Sequence, residues 1–128
     1  MKYLVALFGF IATIGCSAMA QQDVTVDEFE KAMTSEGVQV LDVRTPQEIK
    51  EGKIKGAAEA DWRDENVFQQ AILKLDRTKP VYIYCKSGGR SASAAAWLNN
   101  EGFKEVYNVK GGITAWKAQG KPVVVENE

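Results

Sequence analysis

Histidine is absent from the sequence of 128 residues, which also holds only two cysteines and three prolines. Without histidine, the chain cannot build a Ser-His-Asp triad, a Cys-His nucleophile pair or a metal site with imidazole ligands. An excess of positive charge is also lacking, because 16 lysines and arginines stand against 17 acidic residues. We therefore expect no metal, no cofactor and no nucleic-acid partner.

The first 20 residues have the pattern of a bacterial secretory signal. Lys2 precedes an apolar run at 3–15, and small residues follow, up to an A-x-A site that ends at Ala20. Cleavage after Ala20 leaves residues 21–128 as one mature domain, which is long enough to bury a core. The protein is accordingly expected to be exported to the periplasm or cell envelope of a bacterium.

A lipoprotein signal is the alternative for the same segment. In that interpretation residues 1–15 are removed, and Cys16 is lipidated and kept as the first residue, so that the protein is anchored in the envelope. Thr13 lies where such signals usually carry leucine, which favours cleavage after Ala20. A permanent membrane-spanning helix is disfavoured because the apolar run is shorter than the roughly 20 residues that a spanning helix needs.

Apolar, strand-like runs alternate with capped helices along the rest of the chain. Strands are predicted at 38–43, within 54–60, at 81–84 and at 106–109. Helices are predicted after two capping boxes, Thr25 to Glu28 and Thr45 to Glu48, and at 64–75, 91–101 and 113–118. This alternation implies an α/β fold with a parallel sheet and helices on both faces. Ligands of such sheets bind at the carboxyl ends of the strands.

A cysteine follows the apolar run at 81–84, and it opens a glycine-rich loop. The loop reads Cys85, Lys86, Ser87, Gly88, Gly89 and Arg90, and a helix is predicted to follow it. Backbone N–H groups and the helix dipole at such a place favour negative charge and should lower the pKa of the thiol. Cys85 is the only free thiol after either signal is processed, which indicates a reactive thiol or an intermolecular partner. The alternative is a buried, inert cysteine, but we predict that Cys85 is a nucleophile.

The other residues of the loop are candidates for binding an anionic substrate. Arg90 has a planar fork that can pair with two oxyanion oxygens, whereas Lys86 is equally consistent with a solvated lysine at the rim. Ser87 is interpreted as a hydrogen-bond donor to the sulfur, with a turn cap as the alternative. Gly88 and Gly89 are expected to allow positive φ angles and a close approach of the backbone.

Three further residues are expected to support the loop from outside it. Asp42 and Arg44 lie at the end of the strand predicted at 38–43, and Ser91 directly follows the loop. Asp42 and Arg44 are interpreted as structural, with Arg44 in an ion pair. A binding role for Arg44 is the alternative.

Four separated segments of the sequence are similar to segments of the rhodanese family. They are Asp42-Val43-Arg44 followed by Glu48 and Gly52; Ile54-Lys55-Gly56-Ala57; residues 85–91; and Gly111-Gly112-Ile113 followed by Trp116. One such segment alone is a weak signal, but the four occur in the family's order across residues 23–123. The family often has a histidine after the glycine at position 52 and a proline before Gly56, and these are replaced here by Lys53 and Lys55.

The resemblance implies a rhodanese-like three-layer sandwich, with a central, mostly parallel, five-stranded sheet and helices on both faces. It implies a sulfurtransferase that moves sulfane sulfur from thiosulfate or a similar donor to a thiol or cyanide through a persulfide on Cys85. The implied partners are a small sulfur donor and a thiol acceptor, with an envelope thiol protein as one candidate. The protein is expected to be a monomer.

Two other functions remain as alternatives. A persulfide carrier that depends on a partner protein would have the same loop and little activity alone. A cysteine phosphatase or arsenate reductase is less favoured, because such loops place five residues between cysteine and arginine. Here four residues, from Lys86 to Gly89, separate Cys85 from Arg90, so the cradle is small for a tetrahedral phosphate.

Overall fold

The computed structural model describes residues 22–126. Its strands are β1 (Gln22–Val24), β2 (Gln39–Asp42), β3 (Ala58–Glu59), β4 (Val81–Tyr84) and β5 (Val106–Val109). Its helices are α1 (Val26–Ala32), α2 (Pro46–Lys50), α3 (Glu65–Ile72), α4 (Gly89–Asn100) and α5 (Gly112–Ala118). The predicted secretion or lipidation signal, including Cys16, lies outside the described residues. Within the described part, no helix has the length and apolar character needed to cross a bilayer.

The five strands form one parallel sheet in the order β1-β5-β4-β2-β3. The predicted α/β class and five-stranded parallel sheet are thereby confirmed. β4 lies at the centre, paired with β5 on one side and with β2 on the other, so its residues are shielded from water by strands as well as helices. The carboxyl end of β4, where Cys85 follows, is therefore enclosed on both sides.

Helices cover both faces of the sheet, because alternate strand residues point to opposite faces. On one face, α3 and α4 pack over Leu41 and Ile83. On the other face, α1 and α5 pack over Tyr84 and Val109. The result is the three-layer arrangement that the sequence implies.

Both predicted capping boxes are present, and each begins a helix that borders the sheet. Thr25 caps α1 with Glu28, and Thr45 caps α2 with Glu48. In each box the hydroxyl accepts a backbone N–H while the glutamate accepts the N–H of the cap residue. The second box fixes the position of Glu48, which Arg90 also contacts.

A buried polar network joins the ends of the two central strands. Arg44 forms a two-pronged ion pair with Asp42, with Nε–Oδ1 and Nη2–Oδ2 distances of 2.9 and 2.7 Å. The Tyr84 hydroxyl donates to Asp42 Oδ2 at 2.7 Å and accepts the N–H of Ile54 at 3.0 Å. Arg44 also donates to the Gly52 carbonyl at 2.8 Å. Since each polar group in this network has a partner, the network holds the β2 and β4 ends together without leaving a buried charge unpaired.

Lys53 is a lysine whose side chain lies in the interior of the protein. Its side chain is buried, and its Nζ donates to the Ala57 carbonyl at 2.8 Å. Glu59 and Glu126 lie 3.6 and 3.9 Å from the same nitrogen. The backbone of Lys53 also pairs with Val124 in an antiparallel bridge. Lys53 therefore has a structural role, fastening the segment before β3 to the C-terminal part of the chain.

We expect Tyr84→Phe to lower the free energy of unfolding by about 1–3 kcal/mol, because it removes one buried hydrogen bond to the Asp42 carboxylate and leaves the Ile54 N–H without its partner. Chemical denaturation followed by tryptophan fluorescence measures the loss. Tyr107→Phe is the matched control, since the Tyr107 hydroxyl bonds only to the exposed Glu105, and we expect a change within about 0.5 kcal/mol. Equal losses in the two variants would contradict a special role for the network.

Candidate active site

The active-site loop, residues 85–90, turns sharply from the end of β4 into the start of α4. Cys85 is only 1% exposed. Gly88 has a φ of +114° and forms the N-cap of α4, so the predicted positive φ is present there. The expected positive φ at Gly89 is wrong, because α4 begins at Gly89, two residues earlier than the sequence pattern predicts. The early start brings the helix N-terminus directly over the cysteine.

Two hydrogen-bond donors lie close to the Cys85 sulfur. The Gly88 N–H is 3.1 Å from Sγ, and the Ser91 Oγ is 3.4 Å from it. Ser91 is fully buried on the first turn of α4. The hydroxyl near the sulfur thus belongs to Ser91, whereas Ser87 is exposed at the surface. The Ser87 hydroxyl makes no hydrogen bond to the thiol sulfur among the described residues, and its predicted donation to a persulfide stays a prediction.

These donors set the acidity of the thiol. Burial raises the pKa of Cys85, but hydrogen bonds from the Ser91 hydroxyl and from the N–H groups of Ser91, Gly88 and Ser87 outweigh it, so that the pKa lies below its usual value. The N-terminus of α4 acts in the same direction. A larger fraction of the thiol is therefore ionised at neutral pH than in an ordinary cysteine.

Arg90 faces a carboxylate. Its Nη1 and Nη2 atoms bond to Oε1 and Oε2 of Glu48 at 2.8 and 2.9 Å. The Arg90 hydrogen bonds lower the pKa of Glu48 to about 2, and Glu48 in turn raises the pKa of Arg90. The guanidinium of Arg90, which was predicted to bind an anionic substrate, is thus already paired with Glu48. This ion pair attaches α2 to the loop.

Lys86 is exposed and lines a cavity of about 110 Å³ beside the loop. The cavity is also lined by Arg44, Glu48, Glu51, Ile113, Thr114 and Lys117. Positive charge in this cavity comes from Lys86, Lys117 and the largely buried Arg44. Of the two cations in the loop, Lys86 is the one whose amine is open to solvent.

The first turn of α5 holds the loop from the other side. The N–H groups of Ile113 and Thr114 donate to the carbonyls of Cys85 and Lys86 at 2.9 and 3.1 Å. Gly112 has a φ of +56°, and a Cβ there would lie 2.5 Å from the Lys86 carbonyl oxygen and still closer to that of Cys85. This close approach of two backbones is the physical reason for glycine at position 112.

A chain of polar side chains runs from Ser91 to the edge of the sheet. The Ser91 hydroxyl donates to Asn108 Oδ1 at 2.6 Å, and Asn108 Nδ2 donates to Asp23 Oδ1 at 3.1 Å. Asn108 and Asp23 are not among the site residues predicted from the sequence. The available signal was a polar residue, Asn108, inside the otherwise apolar strand β5.

The structure therefore brings some of the residues expected at the site together at the sulfur and places others below the loop. Cys85 and Ser91 meet at the sulfur, with the backbone of Gly88. Asp42 and Arg44 bond to each other below the loop, and Arg44 reaches the neighbouring cavity. Residues 22–126 contain no group of three or more cysteine, aspartate and glutamate side chains arranged to hold a metal ion.

Comparisons with known proteins agree on one family. A family model described as the rhodanese-like domain matches residues 25–119. A protein named sulfurtransferase from Allochromatium vinosum is 35% identical over 95 residues, which are 74% of this chain and 86% of that protein. The thiosulfate sulfurtransferase GlpE of Ectopseudomonas mendocina is 37% identical over 86 residues, 67% of this chain and 76% of that protein.

A solved structure shows the same fold. The solution structure of the polysulfide-sulfur transferase homodimer from Wolinella succinogenes superposes with a TM-score of 0.70 at 29% sequence identity. The match covers 88% of this chain and 85% of that chain.

We expect Gly112→Ala to displace the loop and to slow alkylation of Cys85. Left-handed backbone at an alanine costs about 1–2 kcal/mol, and the clash with two loop carbonyls adds about 1–3 kcal/mol. Gly120→Ala is the control, because Gly120 also has a positive φ of +74° but a Cβ there would meet nothing within 4 Å. Chemical denaturation and the iodoacetamide reaction rate measure both effects. Unchanged alkylation in Gly112→Ala would show that α5 does not fix the loop.

Proposed function

The chain belongs to the rhodanese-like domain family, and we propose that it transfers sulfane sulfur from thiosulfate or a similar donor to a thiol through a persulfide on Cys85. The observation that carries this proposal is the surroundings of Cys85 Sγ. The sulfur is buried at the carboxyl end of the central strand, and a backbone N–H and a hydroxyl point toward it. This arrangement suits an anionic sulfur.

In the first half of the reaction, the Cys85 thiolate attacks the outer sulfur of thiosulfate. A sulfur–sulfur bond forms with Cys85, the sulfur–sulfur bond of thiosulfate breaks, and its electron pair leaves with sulfite. The enzyme then carries an anionic persulfide. No proton has to be moved in this step once the thiol is ionised, which is consistent with a chain that has no histidine.

In the second half, an acceptor thiolate attacks the outer sulfur of the persulfide. The acceptor becomes a persulfide, and the electron pair of the broken bond returns to Cys85 as a thiolate. Cyanide as acceptor yields thiocyanate by the same displacement. Because the negative charge stays at one place throughout, fixed donors such as the Gly88 N–H can stabilise it without reorganising.

Lys86 is the residue that we assign to the charge of an anionic donor. Its amine is exposed beside the loop, and Lys117 lines the same cavity. Arg90 is assigned a different role, because both of its terminal nitrogens already bond to Glu48. In this proposal Arg90 holds the loop against α2.

A persulfide carrier that depends on a partner protein is the second candidate function. The Glu48–Arg90 pair favours it, since the pair removes the strongest anion-binding group from an open position. The likeness to a polysulfide-sulfur transferase is consistent with a donor other than thiosulfate. The same pair argues against a phosphatase, whose arginine would have to face the anion.

Incubation of the purified protein with thiosulfate tests the proposal. We expect intact mass measurement to show a gain of one sulfur atom, which cyanide removes, and we expect no gain in Cys85→Ser. A gain from polysulfide but not from thiosulfate would support the carrier. The absence of an adduct with either donor would contradict sulfur transfer through Cys85.

Lys86→Ala tests the assignment of the donor charge. We expect KM for thiosulfate to rise up to about fivefold with kcat little changed, because an exposed ion pair is worth at most about 1 kcal/mol. An alkanethiosulfonate, which carries less charge, should be affected less. Lys104→Ala is the control, since Lys104 is exposed on the connection into β5, at the opposite end of the sheet. Equal effects of the two substitutions would remove Lys86 from the donor site.

A further inference from the structure

The side chains of Asp23, Asn108 and Ser91 form a continuous hydrogen-bonded chain that ends at the Cys85 sulfur. Asp23 and Asn108 are direct partners in the parallel pairing of β1 with β5, so the sheet itself places them side by side. Asn108 is 4% exposed and Ser91 is fully buried, whereas Asp23 is exposed. The chain therefore connects the edge of the sheet with the reacting atom through buried groups.

The chemistry of the end group fixes the direction of the hydrogen bonds. A carboxylate oxygen can only accept, so the amide nitrogen of Asn108 faces Asp23, 3.1 Å away, and its amide oxygen faces Ser91. The Ser91 hydroxyl has a single proton and two acceptors within reach, Asn108 Oδ1 at 2.6 Å and Cys85 Sγ at 3.4 Å. The two acceptors compete for that proton.

We propose that Asp23 and Asn108 are positioning residues that control the Ser91 hydroxyl, so that its proton is directed to Asn108 when the sulfur is neutral and to the sulfur when it is anionic. The inference rests on the proposed persulfide function. With a neutral thiol, Ser91 donates to Asn108 and accepts the S–H of Cys85. With a thiolate or persulfide, rotation about the Ser91 C–O bond turns the same proton to the sulfur. The proton that Cys85 loses on ionisation goes to solvent, while Ser91 keeps its own proton and only redirects it.

This competition sets the acidity of Cys85 between two extremes. Ser91 alone would favour the thiolate strongly, because hydrogen bonds to charged groups are the stronger ones. Asn108 reduces this stabilisation of the thiolate, because its amide oxygen loses a buried hydrogen-bond donor whenever the Ser91 hydroxyl turns to the sulfur. An intermediate acidity suits a sulfur that must both attack a donor and leave again, because nucleophilicity falls as the thiol pKa falls.

Opposite shifts in the pKa of Cys85 are the distinguishing result. We expect Ser91→Ala to raise this pKa by about one pH unit, the equivalent of one hydrogen bond to a charged group. We expect Asn108→Leu, which removes the competing acceptor but keeps the same branching of heavy atoms, to lower it. The pH dependence of iodoacetamide alkylation and the ultraviolet absorbance of the thiolate both measure the shift. Shifts of the same sign in the two variants would overturn the proposal.

Asp23→Asn keeps the test decisive if Asn108→Leu does not fold, because position 23 is exposed. An amide there can face either end of the Asn108 side chain, so Asn108 is no longer held in one orientation. We expect Asp23→Asn to lower the Cys85 pKa by less than Asn108→Leu does. In a protein that already carries Ser91→Ala, we expect Asp23→Asn to cause no decrease. An undiminished decrease in the double variant would mean that the charge of Asp23 acts through space, which overturns the proposal.

The other charged groups around the loop are the same in every variant. They are Arg44, Glu48, Glu51, Asp61, Lys86, Arg90 and Lys117. Asp27→Asn serves as a control for the loss of an exposed carboxylate and should leave the pKa of Cys85 unchanged.

These pKa measurements require no sulfur transfer. If no persulfide adduct forms but the two variants still shift the Cys85 pKa in opposite directions, only the proposed function is contradicted. If the adduct forms but the two pKa shifts have the same sign, only the positioning by Asp23 and Asn108 is contradicted.

Discussion

The stabilisation of a negative charge on a buried sulfur is the constraint on which the site depends. Cys85 is almost fully enclosed, so water cannot solvate its thiolate, and the sequence offers no histidine to balance it. The charge must be met by groups whose heavy atoms stay in place, namely the Gly88 N–H, the N-terminus of α4 and the Ser91 hydroxyl. Fixed donors of this kind require a rigid loop, and much of the surrounding structure supplies that rigidity.

The loop is held from three directions by interactions that differ in kind. Arg90 attaches it to α2 through the ion pair with Glu48. Backbone N–H groups at the start of α5 attach it from the side. Below it, the network of Asp42, Arg44 and Tyr84 holds the strand ends in register. Since the three attachments come from separate parts of the chain, the position of Cys85 depends on the complete fold.

The features that could be predicted from the sequence are those that depend on residues close together in the chain. The apolar run before Cys85, the glycine-rich turn and the two capping boxes each act within a few residues, and the structure contains them all. β1 was not predicted, because three residues at a sheet edge have no periodicity and take their conformation from β5. The partnership of Arg90 with Glu48 spans 42 positions of sequence. The Asp23–Asn108 contact spans 85, and both arise only when the sheet forms.

Glu48 makes the start of α2 and the catalytic loop respond to acid as a single unit. Its Oε1 atom accepts both the N–H and the hydroxyl of Thr45 as well as a bond from Arg90. Protonation would weaken the helix cap and the loop clamp at once. Because folding lowers the pKa of Glu48 from 4.5 to about 2, its stabilising contribution is complete above pH 4.5 and is lost as the pH falls toward 2. One carboxylate thus makes the helix cap and the loop clamp lose their stabilising contributions over the same range of acidic pH.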